Sequence, residues 1–206
     1  MELHGEFWSG LIGALIGGAA TLLASWWQHH LENKRKQEEN DESINATLQA
    51  IKAELECLRE RYDESIGRQL ESTNDDIPFL FYYYATEDYF TIYTQNSFLI
   101  GQIPNDNLRK KIVAAYIKMK GLLDTYKTNN GLLEKYDYYH MLFLETNLPA
   151  HEQQAALYYT LLLNYLPSIK ESHKQATELG DQLIENISDY LNPRYKVTNR
   201  GCLCAH

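Results

Sequence analysis

The stretch from Phe7 to Trp27 constrains this chain more than any other, because it contains no Asp, Glu, Lys, Arg or His. A helix rises 1.5 Å per residue, so about twenty apolar residues cross the roughly 30 Å hydrocarbon core of a bilayer. Aromatic rings favour the headgroup level, and both ends of the stretch carry them: Phe7, Trp8, Trp26 and Trp27. The stretch therefore predicts a transmembrane helix, within an anchor over residues 1–28.

The basic residues around this stretch predict its orientation. Three Lys and Arg residues follow the stretch directly: Lys34, Arg35 and Lys36. The one basic residue before it is His4. By the positive-inside rule, the short N-terminus lies outside and the remainder lies in the cytoplasm. The opening "MELHGE" lacks the Lys or Arg of a signal peptide, which disfavours a cleaved leader. We therefore expect a single-pass inner-membrane protein, with the lipid bilayer as one partner.

Small residues line one side of the predicted span. One stripe at four-residue spacing consists of Ser9, Gly13, Gly17, Thr21 and Ser25. A neighbouring stripe consists of Gly10, Ala14 and Gly18. Small residues at this spacing let helix backbones approach closely in lipid, where packing replaces the hydrophobic effect. The two stripes predict self-association into a homo-oligomer.

After the anchor, the pattern predicts an all-α chain. Residues 29–43 are polar and free of Pro and Gly, which indicates a helical stalk continuing the span. A helical bundle is expected over 44–192 and a flexible tail over 193–206. The bundle begins with a heptad stripe, which can pack on the bundle's own helices or on another copy: Ile44, Leu48, Ile51, Leu55, Leu58 and Tyr62.

Turn formers predict where the later helices begin and end. Thr86, followed by Glu87 and Asp88, indicates a helix start, and that helix is expected to end at Gly101. The next helix is predicted from Pro104 to the Asn-Asn-Gly at 129–131, followed by a short one up to Pro149. Two more are predicted over 150–166 and 168–191, because Pro167 breaks or kinks a helix.

Composition excludes several functions. The formal net charge of -9 disfavours a broad nucleic-acid-binding surface. No glycine-rich phosphate loop or alternation of strand and helix appears, which disfavours a nucleotide-binding α/β domain. The 16 tyrosines indicate half-buried helix faces with their hydroxyls at the rim. No cofactor is expected.

The last residues contain the one grouping of zinc-type ligands, Cys202, Cys204 and His206. Thiolates and imidazoles bind zinc, but ligands at alternate positions are too close together to complete a structural site alone. We therefore expect a loose tail and no metal.

Lys135 and His140 have the spacing of a helical nuclease motif. Nucleases of the HEPN class carry an Arg, with a polar residue after it, and a His a few residues later. In this chain the first position is Lys135 and the next is Tyr136, so both departures weaken the comparison. The residues favour a hydrogen-bonded, partly buried His140 over a catalytic one.

The stretch "YFTIYTQNSFLIGQIPNDNLRKKIVAAYIKMKGLLDTYKTNNG", residues 89–131, is similar to that of small single-span bacterial membrane proteins with a cytosolic helical domain. Some proteins of that layout serve in antiphage loci, including the small membrane protein that accompanies type VI-B CRISPR systems. The resemblance implies a bacterial inner-membrane protein that assembles and slows or kills the infected cell, without a catalytic motif.

Three functions are therefore open at this point. The first is a non-enzymatic, self-associating inner-membrane protein acting in antiphage defence on membrane integrity. The second is a membrane-tethered scaffold that holds a cytosolic protein partner. The third is a membrane-anchored nuclease of the HEPN type.

Overall fold

The computed structural model describes the backbone of residues 3–84 and 87–192, and the side chains of these residues except 3–16, 19, 20 and 87. Within these residues the chain is all-α and no strand is present, which confirms the predicted class. The chain divides into two compact units, Met1–Asn45 and Ala46–His206. The tail predicted over 193–206 lies outside the described residues.

The first unit consists of the beginning of α1, a helix that runs from Leu3 to Tyr62. Residues 29–43, predicted as a stalk, are helical and mostly exposed. The anchor was predicted over 1–28, and most of its apolar side chains lie outside the description. In the part of the chain that is described, no helix is long and apolar enough to cross a membrane.

The second unit is built on two long helices, α5 (Asp106–Thr146) and α6 (Pro149–Leu191). Residues later in α5 contact residues earlier in α6, so the two helices form an antiparallel hairpin. The pairs that show this are Lys111 with Asn186, Lys118 with Gln175, and Tyr139 with Tyr158. Asn147, in the left-handed region with φ 51°, ends α5, and Pro149 begins α6.

The last turns of α1 pack along this hairpin. The heptad stripe is buried at Leu48, Ile51 and Leu55, and Tyr62 lies in the core. The stripe therefore packs within the bundle, which was one of its two predicted roles. The main core cluster comprises Tyr62, Ile66, Leu70, Phe79, Leu122, Tyr126, Leu166, Ile169 and Ala176.

Short elements join α1 to α5. A π-helix over Asp63–Gly67 leads into α2 (Arg68–Ser72), and a segment over 79–83 without regular secondary structure follows. A 3₁₀ turn (Glu87–Phe90), α3 (Thr91–Gln95) and α4 (Ser97–Gln102) complete the connection. The single helix predicted up to Gly101 is therefore wrong, because the chain departs from helical geometry at Asn96, with φ -106° and ψ 19°.

Two predicted breaks are absent. The helix α5 continues through Asn129, Asn130 and Gly131, so the expected pair of helices is one. Likewise α6 continues through Pro167, where only one backbone hydrogen bond is lost and the surrounding packing holds the helix.

Candidate functional site

A chain of polar side chains runs from the buried centre of the bundle to an exposed carboxylate on its surface, Glu71. The Tyr62 hydroxyl lies 2.8 Å from the Tyr126 hydroxyl and 2.8 Å from His173 Nδ1. His173 Nε2 lies 3.2 Å from Glu71 Oε1. These four residues come from α1, α5, α6 and α2, so the network joins four helices of the bundle.

The hydrogen atoms in this network have one favourable direction. Burial raises the pKa of Tyr62 and of Tyr126 well above the usual range, so both hydroxyls stay protonated. Tyr126 then donates to Tyr62, Tyr62 donates to His173 Nδ1, and the Nε2–H of His173 donates to Glu71. This order gives an acceptor to each hydrogen atom, as buried polar groups require. The network is a set of fixed donors, with neither tyrosine available as a base near neutral pH.

The π-helix begins immediately after Tyr62, and such single-turn elements often occur at functional sites. Its residues are well connected. Asp63 pairs with Arg59, which also lies 3.3 Å from Asp181 on α6. The Ser65 hydroxyl donates a hydrogen bond to the Tyr62 carbonyl at 3.1 Å.

A small cavity of about 70 Å³ lies beside the network. Its wall is almost entirely apolar, with Leu55, Met119 and Ile184 from α1, α5 and α6, and Tyr62 and Tyr83 at its edge. A cavity of this size holds a few carbon atoms and is smaller than the pockets that take cofactors or metabolites. We assign it to imperfect packing of the core.

A second buried group is the carboxylate of Glu54 on α1, whose residue is 9% exposed. It accepts a hydrogen bond from the Tyr116 hydroxyl at 2.7 Å and one from the backbone N–H of Ile92 at 2.7 Å. The N–H of Tyr93 lies 3.4 Å from it. Because Ile92 and Tyr93 lie in the first turn of α3, Glu54 supplies the cap that α3 lacks locally.

The outer end of the α5–α6 hairpin exposes apolar side chains. Tyr138 is 61% exposed, Met141 55% and Leu161 39%. Between residues 138 and 169, Glu145 and Glu152 are the only residues with a formal charge at neutral pH, if histidine is neutral. A two-helix end that is apolar and poor in charge is typical of a surface that contacts another molecule.

The candidate nuclease residues are separated by the helix. Lys135 Nζ lies 5.5 Å from the centre of the Tyr158 ring, whereas His140 stacks on Tyr136 at 5.5 Å. Five residues along a helix turn the direction by about 140°. The Lys135 and His140 side chains therefore contact different tyrosines, and α5 does not place them on the same side of the helix.

The described part of the small-residue stripes shows open space. A Cβ added at Gly17 or Gly18 would meet nothing within 4 Å, and Thr21 Oγ1 donates to the Gly17 carbonyl at 2.8 Å. Ser25 is exposed, as are Trp26 and Trp27. The remaining side chains of this prediction lie outside the described residues: Phe7, Trp8, Ser9, Gly10, Gly13 and Ala14.

Two of the three topology residues pair along α1. Arg35 lies 3.2 Å from Glu39 and Lys36 lies 2.8 Å from Glu32. The hydrogen bond from Lys36 lowers the pKa of Glu32. Such exposed i,i+4 pairs favour a solvated helix.

The candidate zinc ligands Cys202, Cys204 and His206 lie outside the described residues. Within the described ranges, no three His, Cys, Asp or Glu side chains are grouped so as to hold a metal ion. Comparison of the chain with protein-family models, with curated proteins and with solved structures found no match.

Proposed function

We propose that this protein is a single-pass bacterial inner-membrane protein that self-associates and acts through protein contacts. The observation that carries the proposal is the uncharged stretch from Phe7 to Trp27, with aromatic residues at both ends and Lys34, Arg35 and Lys36 behind it. The membrane part of the proposal rests on the sequence alone. In this proposal, the N-terminus lies outside and the bundle lies in the cytoplasm.

The glycine stripe supports the self-associating part. Ser9, Gly13 and Gly17 stand one helical turn apart, and a partner backbone can approach such a surface closely in lipid. The resemblance to membrane proteins of antiphage loci supports a defence role in which assembly alters membrane integrity. The bundle then serves to receive a signal or to hold the assembled copies.

Membrane association and topology are tested first. We expect the full chain to remain in the membrane pellet after extraction at alkaline pH. A reporter that is active only outside the cytoplasm, fused after His206, should be silent. Release by alkali would end the membrane proposal, and a strong reporter signal would reverse its orientation.

Self-association is tested with Gly17→Ile, which keeps the span apolar but forces backbones apart. Leu15→Ile, on the opposite side, is the matched control. Crosslinking in native membranes should show oligomers for the wild type and the control and markedly fewer for Gly17→Ile. Membrane depolarisation on overexpression should fall in parallel. Equal assembly of both variants would contradict a role for the stripe.

A tethered scaffold is the second candidate, and the exposed apolar end of the hairpin favours it. In that case the bundle holds a cytosolic protein and the anchor only places it at the membrane. Loss of assembly in Gly17→Ile with an unchanged cellular phenotype would favour the scaffold.

The nuclease function receives no support from the hairpin, because Lys135 and His140 contact different tyrosines. We expect His140→Ala to leave any cellular phenotype intact. RNA cleavage by the purified wild type that is lost in a folded His140→Ala variant would place the nuclease first.

A further inference from the structure

The outer end of the α5–α6 hairpin has a stripe of four residues with opposite charges at its two ends. Lys135, Tyr138, Leu142 and Glu145 are spaced three, four and three apart, so they lie on one side of α5. Tyr138 is 61% exposed and Leu142 is half-buried. Lys135 and Glu145 are exposed and, among the described residues, neither forms an ion pair.

The same side of the hairpin continues onto α6 without charge. Lys135 lies over the Tyr158 ring, so Tyr158 belongs to this side. Gln154 and Leu161 stand four residues before and three residues after Tyr158 and therefore lie on the same stripe of α6. The hairpin thus presents an apolar face with Lys135 and the exposed Glu134 beside it at one end and Glu145 at the other.

We propose that this face pairs with the same face of a second copy in an antiparallel arrangement. A two-fold axis at the level of residue 140 places Lys135 of each copy opposite Glu145 of the other, and Tyr138 opposite Leu142. Because Tyr139 stacks on Tyr158, the axis passes α6 near residue 157, which places Gln154 within one residue, or about 1.5 Å, of the level of Leu161. A self-complementary surface of this kind is what a two-fold dimer requires.

The available area suits a reversible dimer. The overlapping part of each hairpin is about 27 Å long and two helix diameters, or about 20 Å, wide. Two copies therefore bury about 1,000 Å² in total, which is close to the lower limit for a specific interface.

A lipid surface fits this face less well, because Lys135 is its one cation and anionic headgroups attract clusters of basic residues. The pairing needs no contribution from the first 45 residues.

The charge pairing is tested by exchange in the full chain solubilised in detergent. Lys135→Glu and Glu145→Lys each place like charges opposite each other, and we expect each to lower dimer crosslinking about fivefold. The double variant restores opposite charges and should restore crosslinking, although it still lacks the contact between Lys135 and Tyr158. Equal crosslinking in all four proteins, or failure of the double variant with a normal melting curve, would overturn the proposal.

The register is tested with cysteines in a chain whose Cys57, Cys202 and Cys204 are replaced by Ser. A tagged Gln154→Cys chain and an untagged Leu161→Cys chain are produced together and treated with a short thiol crosslinker. The crosslinking yield of the mixed pair should be about fivefold higher than that of Phe98→Cys. Phe98 lies on α4 and is 77% exposed. A mixed yield no greater than this control, or crosslinking only to a protein of different mass, would exclude the antiparallel dimer.

Gly17→Ile in the same crosslinking experiment distinguishes this contact from self-association of the span. If the span assembles through its glycines and the hairpins pair independently, Gly17→Ile should lower only crosslinks within the span. Hairpin crosslinks in the wild type without any crosslinks within the span would support this inference while contradicting the proposed self-association of the span. Span assembly without hairpin crosslinks would support the proposed function while contradicting this inference.

Discussion

The Tyr62 hydroxyl lies at hydrogen-bond distance, 2.8 Å, from His173 Nδ1 and thereby joins the end of α1 to the middle of α6. It also lies 2.8 Å from the Tyr126 hydroxyl. One oxygen atom therefore connects the three long helices within their apolar core. Removal of a single partner leaves the others buried without a hydrogen bond, which costs more than the bond itself contributes.

Tyr62→Phe should lower the free energy of unfolding by about 2 kcal/mol, because the Tyr126 hydroxyl and His173 Nδ1 both lose their partner. For a chain of this size that corresponds to a decrease of roughly 4–8 °C in Tm. Thermal unfolding followed by circular dichroism measures the change. Tyr84→Phe, at a 71% exposed position, is the control and should leave Tm unchanged. Equal Tm values for both variants would show that the network contributes no stability.

Stability should fall steeply at alkaline pH. Burial raises the pKa of Tyr62, Tyr116 and Tyr126 above the usual range, and the hydrogen bond to Glu54 raises that of Tyr116 further. The unfolded chain loses these protons near pH 10, whereas the folded chain keeps them, so unfolding becomes more favourable as pH rises above about 10. Each tyrosine contributes a slope of about 1.4 kcal/mol per pH unit, and below pH 9 the effect is absent.

Urea unfolding at a series of pH values from 8 to 11 tests this expectation. The midpoint should be flat up to about pH 9 and then decrease, with a shallower decrease in Tyr126→Phe. A midpoint that does not change up to pH 11 would mean that the three hydroxyls titrate normally in the folded protein.

The helical class and the long core stripes could be predicted from the sequence, because apolar periodicity reports burial directly. The heptad residues Leu48, Ile51 and Leu55 are buried, as their spacing predicts.

The predicted break at Asn129 and Asn130 was wrong because a tertiary contact explains the presence of the asparagines. Asn130 accepts from the Tyr83 N–H at 3.2 Å and donates to the Tyr83 carbonyl at 2.9 Å, so this turn former serves as a clamp for the segment 79–83.

The central network was missed because its members carry no local pattern. His173 stands in the polar stretch "KESHKQ", and its burial depends on Tyr62, which lies far away in the sequence. One signal was present: His173 falls four residues after Ile169 and three before Ala176, at core spacing. Glu54 was missed for the same reason, because the N–H groups that it caps belong to α3.

Glu54→Gln should destabilise the bundle by about 1.5–3 kcal/mol, the range for hydrogen bonds to a charged group. The amide keeps the volume but removes the charge that the first turn of α3 and the Tyr116 hydroxyl share. Glu56→Gln, on the exposed side of α1, should change stability by less than about 0.5 kcal/mol. Hydrogen exchange should also accelerate at residues 92–95 in Glu54→Gln. Unchanged exchange there would contradict the role of Glu54 as a cap.

Gly67 and Gly131 should respond in opposite directions to replacement by alanine. Gly131 lies inside α5 with a helical backbone, and an added Cβ would meet nothing within 4 Å. Gly131→Ala should therefore stabilise the bundle by about 0.5–1 kcal/mol through helix propensity. At Gly67, an added Cβ would lie 2.9 Å from Asp63 Oδ1 and 3.0 Å from the Tyr62 ring.

Asp63 can move towards solvent, but the Tyr62 ring is held between Tyr126 and His173. Gly67→Ala should therefore cost about 1–3 kcal/mol by overpacking and should move the Tyr62 hydroxyl away from its partners. Urea unfolding of both variants against the wild type measures the two effects. If the strain acts through Tyr62, the costs of Gly67→Ala and Tyr62→Phe should be less than additive in the double variant. Full additivity would show that the π-helix and the tyrosine network stabilise the bundle independently.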